Sequence, residues 1–174
     1  MKYYIDTEFI EHSCTIDLIS IGIVAEDRRE FYAISSEFEE AKASQWVKDN
    51  VIAKLSPRPK FVSDGVWMPR WMIKENILDF IGDDKRVEFW GYYADYDWVV
   101  FCWLFGTMME LPKGFPMYCR DIKQLADEMG GIRLPNMGGA EHNALDDAKE
   151  IKMRHAYLIA MQNNLPTTPR GAGE

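Results

Sequence analysis

The N-terminal part of the chain carries short apolar runs that are typical of β-strands. Lys2 to Asp6 forms one run, Thr15 to Val24 forms a second that is rich in β-branched residues, and Glu30 to Ile34 forms a third. A charged turn from Glu26 to Arg29 separates the last two runs. Strands joined by short turns pair antiparallel. The pattern therefore predicts a three-stranded antiparallel meander.

Helical spacing replaces the strand pattern from Ser44 onwards. Apolar residues recur at helical spacing from Trp46 to Leu55, and Pro57 and Pro59 end this element. A second helix is predicted from Arg70 to Ile81, with apolar residues along one face.

Strands and helices alternate in the second half of the chain. Val87 to Gly91 is a predicted strand, and Trp98 to Phe105 is apolar on every side, which predicts a buried helix. Met117 to Cys119 is a predicted fifth strand, and Asp121 is placed to cap a helix from Ile122 to Met129. These elements favour the α/β class, with a mixed five-stranded sheet covered by helices.

The length of 174 residues fits one domain. The last helix is predicted from about Asn143 to Gln162, so we expect residues 1–165 to form a single domain and residues 166–174 to be a frayed tail. The sequence has no long apolar run, and Met1 to Tyr4 leads directly into a strand without the regions of a signal peptide. We therefore expect a cytoplasmic protein with no membrane partner.

The net charge of −8 argues against broad, nonspecific binding of duplex nucleic acid, which requires many phosphates to be neutralised. It does not exclude nucleic acid as a substrate, because a metal site can neutralise the one phosphate at which chemistry occurs. The three cysteines match no zinc or disulfide spacing, so reduced structural thiols are expected.

Two carboxylates close the first predicted strand. Side chains two apart on a strand point to the same side, so Asp6 and Glu8 project together and repel each other. A hard divalent cation such as Mg²⁺ or Mn²⁺ would keep both ionised, since these ions prefer oxygen ligands. Taken alone, the triplet is better explained as a solvated turn.

Two further pairs of carboxylates lie at predicted helix starts, Asp95 with Asp97 and Asp146 with Asp147. Each pair alone is explained by helix capping. His142 changes this interpretation, because it lies in the loop five residues before Asp147. Five helical residues turn by about 140°, so the two side chains could not share a helix face, but a histidine in the loop can fold back over the same site.

In order and spacing, Asp6-x-Glu8, Tyr96-Asp97 and His142-x4-Asp147 resemble the three motifs of the DEDDh exonucleases, a ribonuclease H-like family. The resemblance covers Lys2 to about Tyr157. It implies a ribonuclease H-like fold, metal binding by the four motif carboxylates and a general base at His142. These carboxylates are Asp6, Glu8, Asp97 and Asp147. Asp95 and Asp146 fall on variable positions of the motifs and stay outside the predicted metal site.

Within that family, residues 4–11 and 15–22 look most like the polyadenylate-specific exoribonucleases of bacteria and phages, often called RNase AS. This resemblance implies a preference for poly(A) tails and favours a homodimer. Tyr93 stands where the second motif usually has an asparagine, so the group that steadies this loop is expected to differ.

Phosphodiester hydrolysis suits this set of residues. The reaction needs a deprotonated water in line with the leaving 3′ oxygen, and two divalent ions roughly 4 Å apart supply the hydroxide and stabilise the leaving group. In this scheme Asp6 bridges the two ions and Glu8 holds only the ion that activates water. Neutral His142 takes the proton of the water near physiological pH.

Thr7 and Phe9 are the candidate substrate contacts. Phe9 follows the metal pair and could stack on the terminal base, as aromatic residues do in single-strand sites, although a core position explains it as well. Thr7 faces away from its acidic neighbours on a regular strand, and only its family position places it near the terminal nucleotide.

One locally basic segment is interleaved with Trp67 and Trp71. Its cations are Lys54, Arg58, Lys60, Arg70 and Lys74. The segment is the candidate path for upstream RNA, although a solvated face with its tryptophans in the core or in a subunit contact is at least as good an explanation. The tryptophans and the Met108-Met109 pair also fit an oligomer interface.

The sequence thus predicts a metal-dependent 3′→5′ exoribonuclease that acts on the 3′ ends of single-stranded RNA and releases nucleoside 5′-monophosphates with two Mg²⁺ or Mn²⁺ ions. A DNA exonuclease with the same site is the nearest alternative, because nothing in the sequence shows whether the 2′-OH is read. A non-catalytic RNA-binding module is disfavoured, since a binding protein has no use for a water-activating base.

Overall fold

A computed structural model describes residues 1–59, 65–136, 138 and 142–164. Six strands of this part of the chain form one mixed sheet in the order β4-β3-β2-β1-β5-β6. They are β1 (Lys2–His12), β2 (Thr15–Ala25), β3 (Glu30–Ser35), β4 (Trp67–Met68), β5 (Glu88–Gly91) and β6 (Arg120–Asp121). β1, β2 and β3 pair antiparallel, whereas β4, β5 and β6 pair parallel with their neighbours. The predicted meander and the α/β class are confirmed.

Five α-helices pack on this sheet among the described residues. They are α1 (Gln45–Asn50), α2 (Arg70–Ile81), α3 (Asp95–Leu104), α4 (Ile122–Glu128) and α5 (Ala144–Asn164). α2 has the predicted bounds. Ser44 caps α1 by accepting a hydrogen bond from the Val47 amide, and Asp121 caps α4 as predicted. None of these helices is both long and apolar enough to cross a membrane.

The predicted strand count and two element predictions were wrong. The sheet has six strands instead of five, because β4 is a two-residue strand and shows no periodicity. Met117 to Cys119 is not a strand; the parallel pairing with β5 begins at Arg120, and Met117 and Tyr118 are exposed. The helix from residue 98 is not buried on all sides, since Val99 and Trp103 are 38% and 47% exposed. α3 lies on one face of the sheet, so only its inner face is covered.

Two apolar cores fill the two faces of the sheet. Tyr3 and Ile5 of β1 belong to a core with α2 and α3, while Tyr4 belongs to a second core with α4 and α5. The side chains of β1 thus alternate between the faces, as expected for a regular strand. In the second core the Tyr4 hydroxyl lies 2.9 Å from Nδ1 of His155, which is buried and packs on the Trp90 ring.

A β-bulge interrupts the pairing of β1 with β2. Glu8 pairs with Ser20 and Phe9 pairs with Leu18, which leaves Ile19 as the extra residue. Ile19 packs with Ile10 in a small third core under α1. A bulge bends the strand and increases its local twist.

Gly22 allows α5 to approach the sheet closely. A Cβ atom on Gly22 would lie 2.2 Å from the carbonyl oxygen of Ala144, the first residue of α5. Gly22 pairs with Asp6 across the β1–β2 ladder. The first turn of α5 therefore lies beside Asp6, and only glycine leaves room for it.

Candidate metal centre

Three of the four predicted metal ligands come together in the structure. Asp6 and Glu8 of β1 and Asp147 of α5 each offer a carboxylate oxygen, and these oxygens lie within 4.8 Å of one another. The alternation of β1 directs Asp6 and Glu8 to the face that α5 covers, and the close contact at Gly22 brings Asp147 to them. The set contains only oxygen donors, which suit Mg²⁺ or Mn²⁺.

Asp97 approaches the cluster from the start of α3, where it is 7% exposed. Its Oδ1 accepts hydrogen bonds from the backbone amide of Thr7 at 2.8 Å and from the Thr7 hydroxyl at 2.5 Å. Thr7 is buried and lies between Asp6 and Glu8 in the chain. Both hydrogen-bond donors of Thr7 therefore hold the carboxylate of Asp97.

The four carboxylates disfavour one another's charge. Burial first, and then the negative charges of Asp97, Asp147 and Glu8, raise the pKa of Asp6 well above its ordinary value. Burial raises the pKa of Glu8 to about 8, with Asp147 and Asp97 adding to the rise and Lys54 opposing it. Burial also raises the pKa of Asp97 to about 6, although the hydrogen bonds from Thr7 act in the opposite direction.

The pKa of Asp147 is also raised, by burial and by the negative charge of Glu150, although the nearby His142 acts in the opposite direction. A group of buried like charges ionises only when a cation compensates it. The electrostatics of the cluster, like its donor atoms, thus fit a divalent metal ion.

His142 lies in the loop before α5, as predicted, with a φ angle of 65°. Its backbone amide donates to Oδ2 of Asp147 at 3.1 Å. The side chain of Asn143 accepts hydrogen bonds from the amides of Leu145 and Asp146 and so caps α5. The left-handed backbone of His142 folds this loop back towards Asp147.

The imidazole of His142 packs against Trp46, a residue that motif spacing did not identify. The two rings are nearly perpendicular, at 81°, and their centroids are 4.8 Å apart. Trp46 is 55% exposed and belongs to α1. The sequence shows a tryptophan at the start of a predicted helix, but nothing in the sequence connects Trp46 with His142.

A cavity of about 360 Å³ opens beside Glu8. Its lining is mostly apolar and consists of Glu8, Phe9, Ile10, Glu11, Ser44, Trp46, Val47 and Val51. The Phe9 ring packs on Tyr96 with a centroid distance of 5.7 Å. Of the two predicted substrate residues, Phe9 lines this cavity, whereas Thr7 is buried against Asp97.

The basic segment is only partly available as a surface for RNA. Arg58 donates to the carbonyl of Ser36 and covers the buried Trp67 ring, and Arg70 pairs with Asp17. Trp71 is exposed, and the charge of Lys54 reaches Glu8. Lys60 and the predicted tail at 166–174 lie outside the described residues.

Comparison with known proteins relates the chain to exoribonucleases. A family model described as the 3′–5′ exoribonuclease Rv2179c-like domain matches residues 1–159. The 3′–5′ exoribonuclease Rv2179c of Mycobacterium tuberculosis strain H37Rv is 40% identical over 161 residues, covering 91% of this chain and 93% of that protein. The 3′–5′ exoribonuclease MT2234.1 of strain CDC 1551 matches with the same values.

Solved structures of similar shape include cell-death related nuclease 4 (CRN-4), with a TM-score of 0.47 and 11% identity over 92% of this chain and 64% of that one. Pop2p of S. pombe, in a form with bound Mg²⁺ and Mn²⁺, has a TM-score of 0.48 and 12% identity over 94% of this chain and 83% of that one. The match over residues 1–159 and the 40% identity show that the chain belongs to the Rv2179c-like 3′–5′ exoribonuclease family.

Proposed function

We propose that this exoribonuclease uses two divalent cations, Mg²⁺ or Mn²⁺, to remove nucleoside 5′-monophosphates from the 3′ ends of single-stranded RNA. The observation that carries the proposal is the cluster of Asp6, Glu8 and Asp147, whose oxygens lie within 4.8 Å of one another in an all-oxygen site. The proposal assigns the chain to the DEDDh type, with a ribonuclease H-like fold. Residues 1–165 act as one exonuclease domain.

The four carboxylates would hold the cations. Asp6 would be shared by both, which agrees with the finding that all three other carboxylates raise the pKa of Asp6. When bound, the cations lower the pKa of a coordinated water and stabilise the charge on the leaving 3′ oxygen. Thr7 keeps Asp97 oriented through two hydrogen bonds, so this carboxylate need not reorganise when substrate binds.

His142 is the proposed general base and accepts the proton of the attacking water at its imidazole. Imidazole suits this task near neutral pH. The backbone amide of His142 donates a hydrogen bond to Asp147, and its ring packs against Trp46. Both the backbone and the side chain of His142 are therefore positioned.

The cavity beside Glu8 is the proposed site for the terminal nucleobase. Phe9 and Trp46 supply aromatic surface there, and stacking on such surface is how single-stranded nucleic acids are commonly held. The proposed preference for adenylate tails agrees with Glu11 in this lining, whose carboxylate does not belong to the proposed metal site. A carboxylate accepts a hydrogen bond from the exocyclic amino group of adenine and repels the O4 carbonyl of uracil.

The decisive experiment incubates the protein with Mg²⁺ or Mn²⁺ and with oligo(A), oligo(U), oligo(C) or oligo(dA), and identifies the released mononucleotides. We expect AMP from oligo(A) at the highest rate and no release from an oligo(A) blocked by a 3′-phosphate. Equal rates on all four substrates would remove the poly(A) preference, and faster release from oligo(dA) would favour the DNA alternative. Asp6→Ala, checked for folding by circular dichroism, should release no nucleotide; activity in this variant would refute the metal mechanism.

A homodimer in the cytoplasm is the proposed working form. Exposed apolar residues on α3 and in the turn after it support a subunit contact, since such patches mark interfaces. They are Val99, Trp103, Met108 and Met109. Light scattering should give twice the monomer mass for the wild type and the monomer mass for Trp103→Asp; a monomeric wild type would contradict the proposal.

A further inference from the structure

The loop between β5 and α3 leads into the helical turn that carries Asp97 and is tightly folded. A Cβ atom on Gly91 would lie 2.4 Å from the Cβ of Ala94, and Tyr93 has a φ angle of 54°. Ala94 occupies the N-cap position of α3, where its methyl group cannot accept a hydrogen bond. The helix that presents Asp97 thus begins without a cap of its own.

Asp121 holds the N-cap residue of α3 by its backbone amide, although it does not replace the missing side-chain cap. Its Oδ2 accepts a hydrogen bond from the Ala94 amide at 2.9 Å. Its Oδ1 accepts from the amides of Lys123 at 2.6 Å and Gln124 at 3.2 Å, which caps α4. One carboxylate therefore serves the starts of two helices, and the pairing of Gly91 with Asp121 in the sheet sets its position.

The tether at Ala94 reaches Asp97 through less than one helical turn. The Ala94 carbonyl accepts the amide of Trp98 at 2.9 Å, so Ala94 and Asp97 belong to the same first turn of α3. The other end of Asp97, its carboxylate, is held by Thr7. Asp97 is thus fixed at its backbone by Asp121 and at its side chain by Thr7.

Tyr93 does not hold Asp97 in place. It is 61% exposed and packs on the neighbouring Tyr92 ring, 4.5 Å away between centroids. We propose that Asp121 is a positioning residue of the nuclease site, which acts through the Ala94 amide to keep Asp97 in place for metal binding. The inference rests on the proposed function, because it assumes that Asp97 is a metal ligand.

Two substitutions separate the tether from the helix cap. Asp121→Ser keeps a good N-cap for α4, but its single hydroxyl cannot also serve the Ala94 amide. Asp121→Asn keeps the size of the side chain but offers one acceptor and one donor group to amides that all need acceptors. Both variants should retain the fold.

Amide hydrogen exchange and Mn²⁺ titration calorimetry provide readouts that do not depend on turnover. In Asp121→Ser we expect the amides of Ala94 and Thr7 to exchange about tenfold faster or more, and Mn²⁺ to bind about tenfold more weakly, as the loss of a hydrogen bond to a charged acceptor predicts. Nucleotide release should fall mainly in kcat, since the cavity for the base is unchanged.

Two control variants test whether a lost charge or a lower stability would produce the same weakening of Mn²⁺ binding. Asp95→Asn removes a negative charge from the same turn of α3 without touching the tether, and Ile77→Val lowers the stability of the core that packs against α3. Both should bind Mn²⁺ as the wild type does. Unchanged Mn²⁺ affinity in Asp121→Ser, or an equal loss in either control, would overturn the positioning role.

Failure of the proposed function would give a different set of results. A wild type that neither binds Mn²⁺ nor releases nucleotides would refute the metal mechanism, while the exchange rates of Ala94 and Thr7 would still test the tether.

Discussion

β1 and α5 face each other with two polar contacts that differ in kind. At one end, Asp6 and Glu8 meet Asp147 in a cluster of like charges. At the other, the Tyr4 hydroxyl lies 2.9 Å from Nδ1 of His155 in a neutral contact. The contacts are about 7 Å apart along β1 and about 12 Å apart along α5.

Burial disfavours charge at both ends, but with opposite signs. It raises the pKa of Glu8 to about 8, and it lowers the pKa of His155 to about 4. At the Tyr4–His155 end, the Tyr4 hydroxyl and Nδ1 of His155 satisfy each other, while Nε2 of His155 is buried without a hydrogen-bond partner among the described residues. At the carboxylate end, Lys54 offsets only part of the repulsion around Glu8, so a bound cation would favour the ionised carboxylates. The same two elements therefore form a neutral contact at one end and the proposed metal site at the other.

The largest effect is expected for Asp6→Asn, which removes one carboxylate from the charged end. Nucleotide release should fall by at least about a thousandfold, because metal binding contributes several kcal/mol to transition-state stabilisation. The melting temperature of the metal-free variant should rise, since one of the repelling charges is gone. Steady-state kinetics and thermal unfolding in EDTA measure the two effects. A metal-free variant less stable than the wild type would contradict the like-charge description.

The next largest effect is expected for Gly22→Ala, because the added methyl group would push α5 away from the sheet near the carboxylates. The new methyl group would lie 2.2 Å from the Ala144 carbonyl, so α5 must shift. We expect about 1–3 kcal/mol of lost stability from overpacking. We also expect about a hundredfold lower activity, from an ångström-scale displacement of Asp147.

The control for Gly22→Ala is Ile77→Val, which destabilises the other core and should keep its activity per folded molecule. Equal losses of activity in the two variants would show that general instability, and not displacement of α5, is responsible.

The pH dependence of stability distinguishes the two ends directly. Between the ordinary pKa of Glu8 and its folded pKa of about 8, the folded protein binds more protons than the unfolded chain. The melting temperature of the metal-free protein should therefore fall as the pH rises from about 5 to about 8. Saturating Mg²⁺ should flatten this slope, because a bound cation favours the ionised carboxylates. Scanning fluorimetry with and without Mg²⁺ provides the measurement, and Glu8→Gln should show a weaker slope.

The histidine end should respond to acid. Burial lowers the pKa of His155, so the unfolded chain binds a proton that the folded protein excludes. This contribution to stability is present above the ordinary histidine pKa and is lost as the pH falls towards about 4. His155→Gln should reduce the slope of stability between about pH 4 and 6.5 and leave the slope between about pH 7 and 8, where Glu8 titrates, unchanged. A change of both slopes would mean that the two ends titrate together.

The smallest expected effect is that of Tyr4→Phe. Loss of the hydroxyl leaves Nδ1 of His155 without its partner and should lower the free energy of unfolding by about 1–2 kcal/mol. Nucleotide release should stay within about twofold of the wild type, because the carboxylate end is untouched. Urea denaturation and a standard turnover assay decide the matter, and a tenfold loss of activity would show that the two ends are coupled.

Local patterns predicted those parts of the fold that repeat along the chain. The apolar run from Lys2 to Asp6 identified β1, although this strand continues to His12, and the helical spacing of α2 predicted its bounds. β4 and β6 have two residues each and show no periodicity, so their pairing could not be read. The exposed stripe of α3 was missed because an apolar sequence does not reveal which face a neighbour covers.

The candidate site was predictable where it depends on motif spacing. Asp6, Glu8 and Asp147 assemble as the sequence predicted. The close approach at Gly22, the ring contact of Trp46 and the tether from Asp121 to Ala94 were not predictable in this way. Each depends on residues far apart in the chain that only the completed sheet brings together.

The bulge at Ile19 divides the β1–β2 pair into a part within the sheet and a hairpin beyond it. Before the bulge, β3 flanks β2 as far as Ser20 and β5 flanks β1 only as far as Tyr4. Beyond the bulge, a hairpin with its tip near Cys14 has no further strand partner among the described residues, and it supplies Phe9, Ile10 and Glu11 to the cavity. Because a bulge bends its strand and increases the local twist, the hairpin leaves the sheet at its own angle directly after Glu8. The proposed base site and the proposed metal ligands therefore lie on two differently oriented parts of one strand.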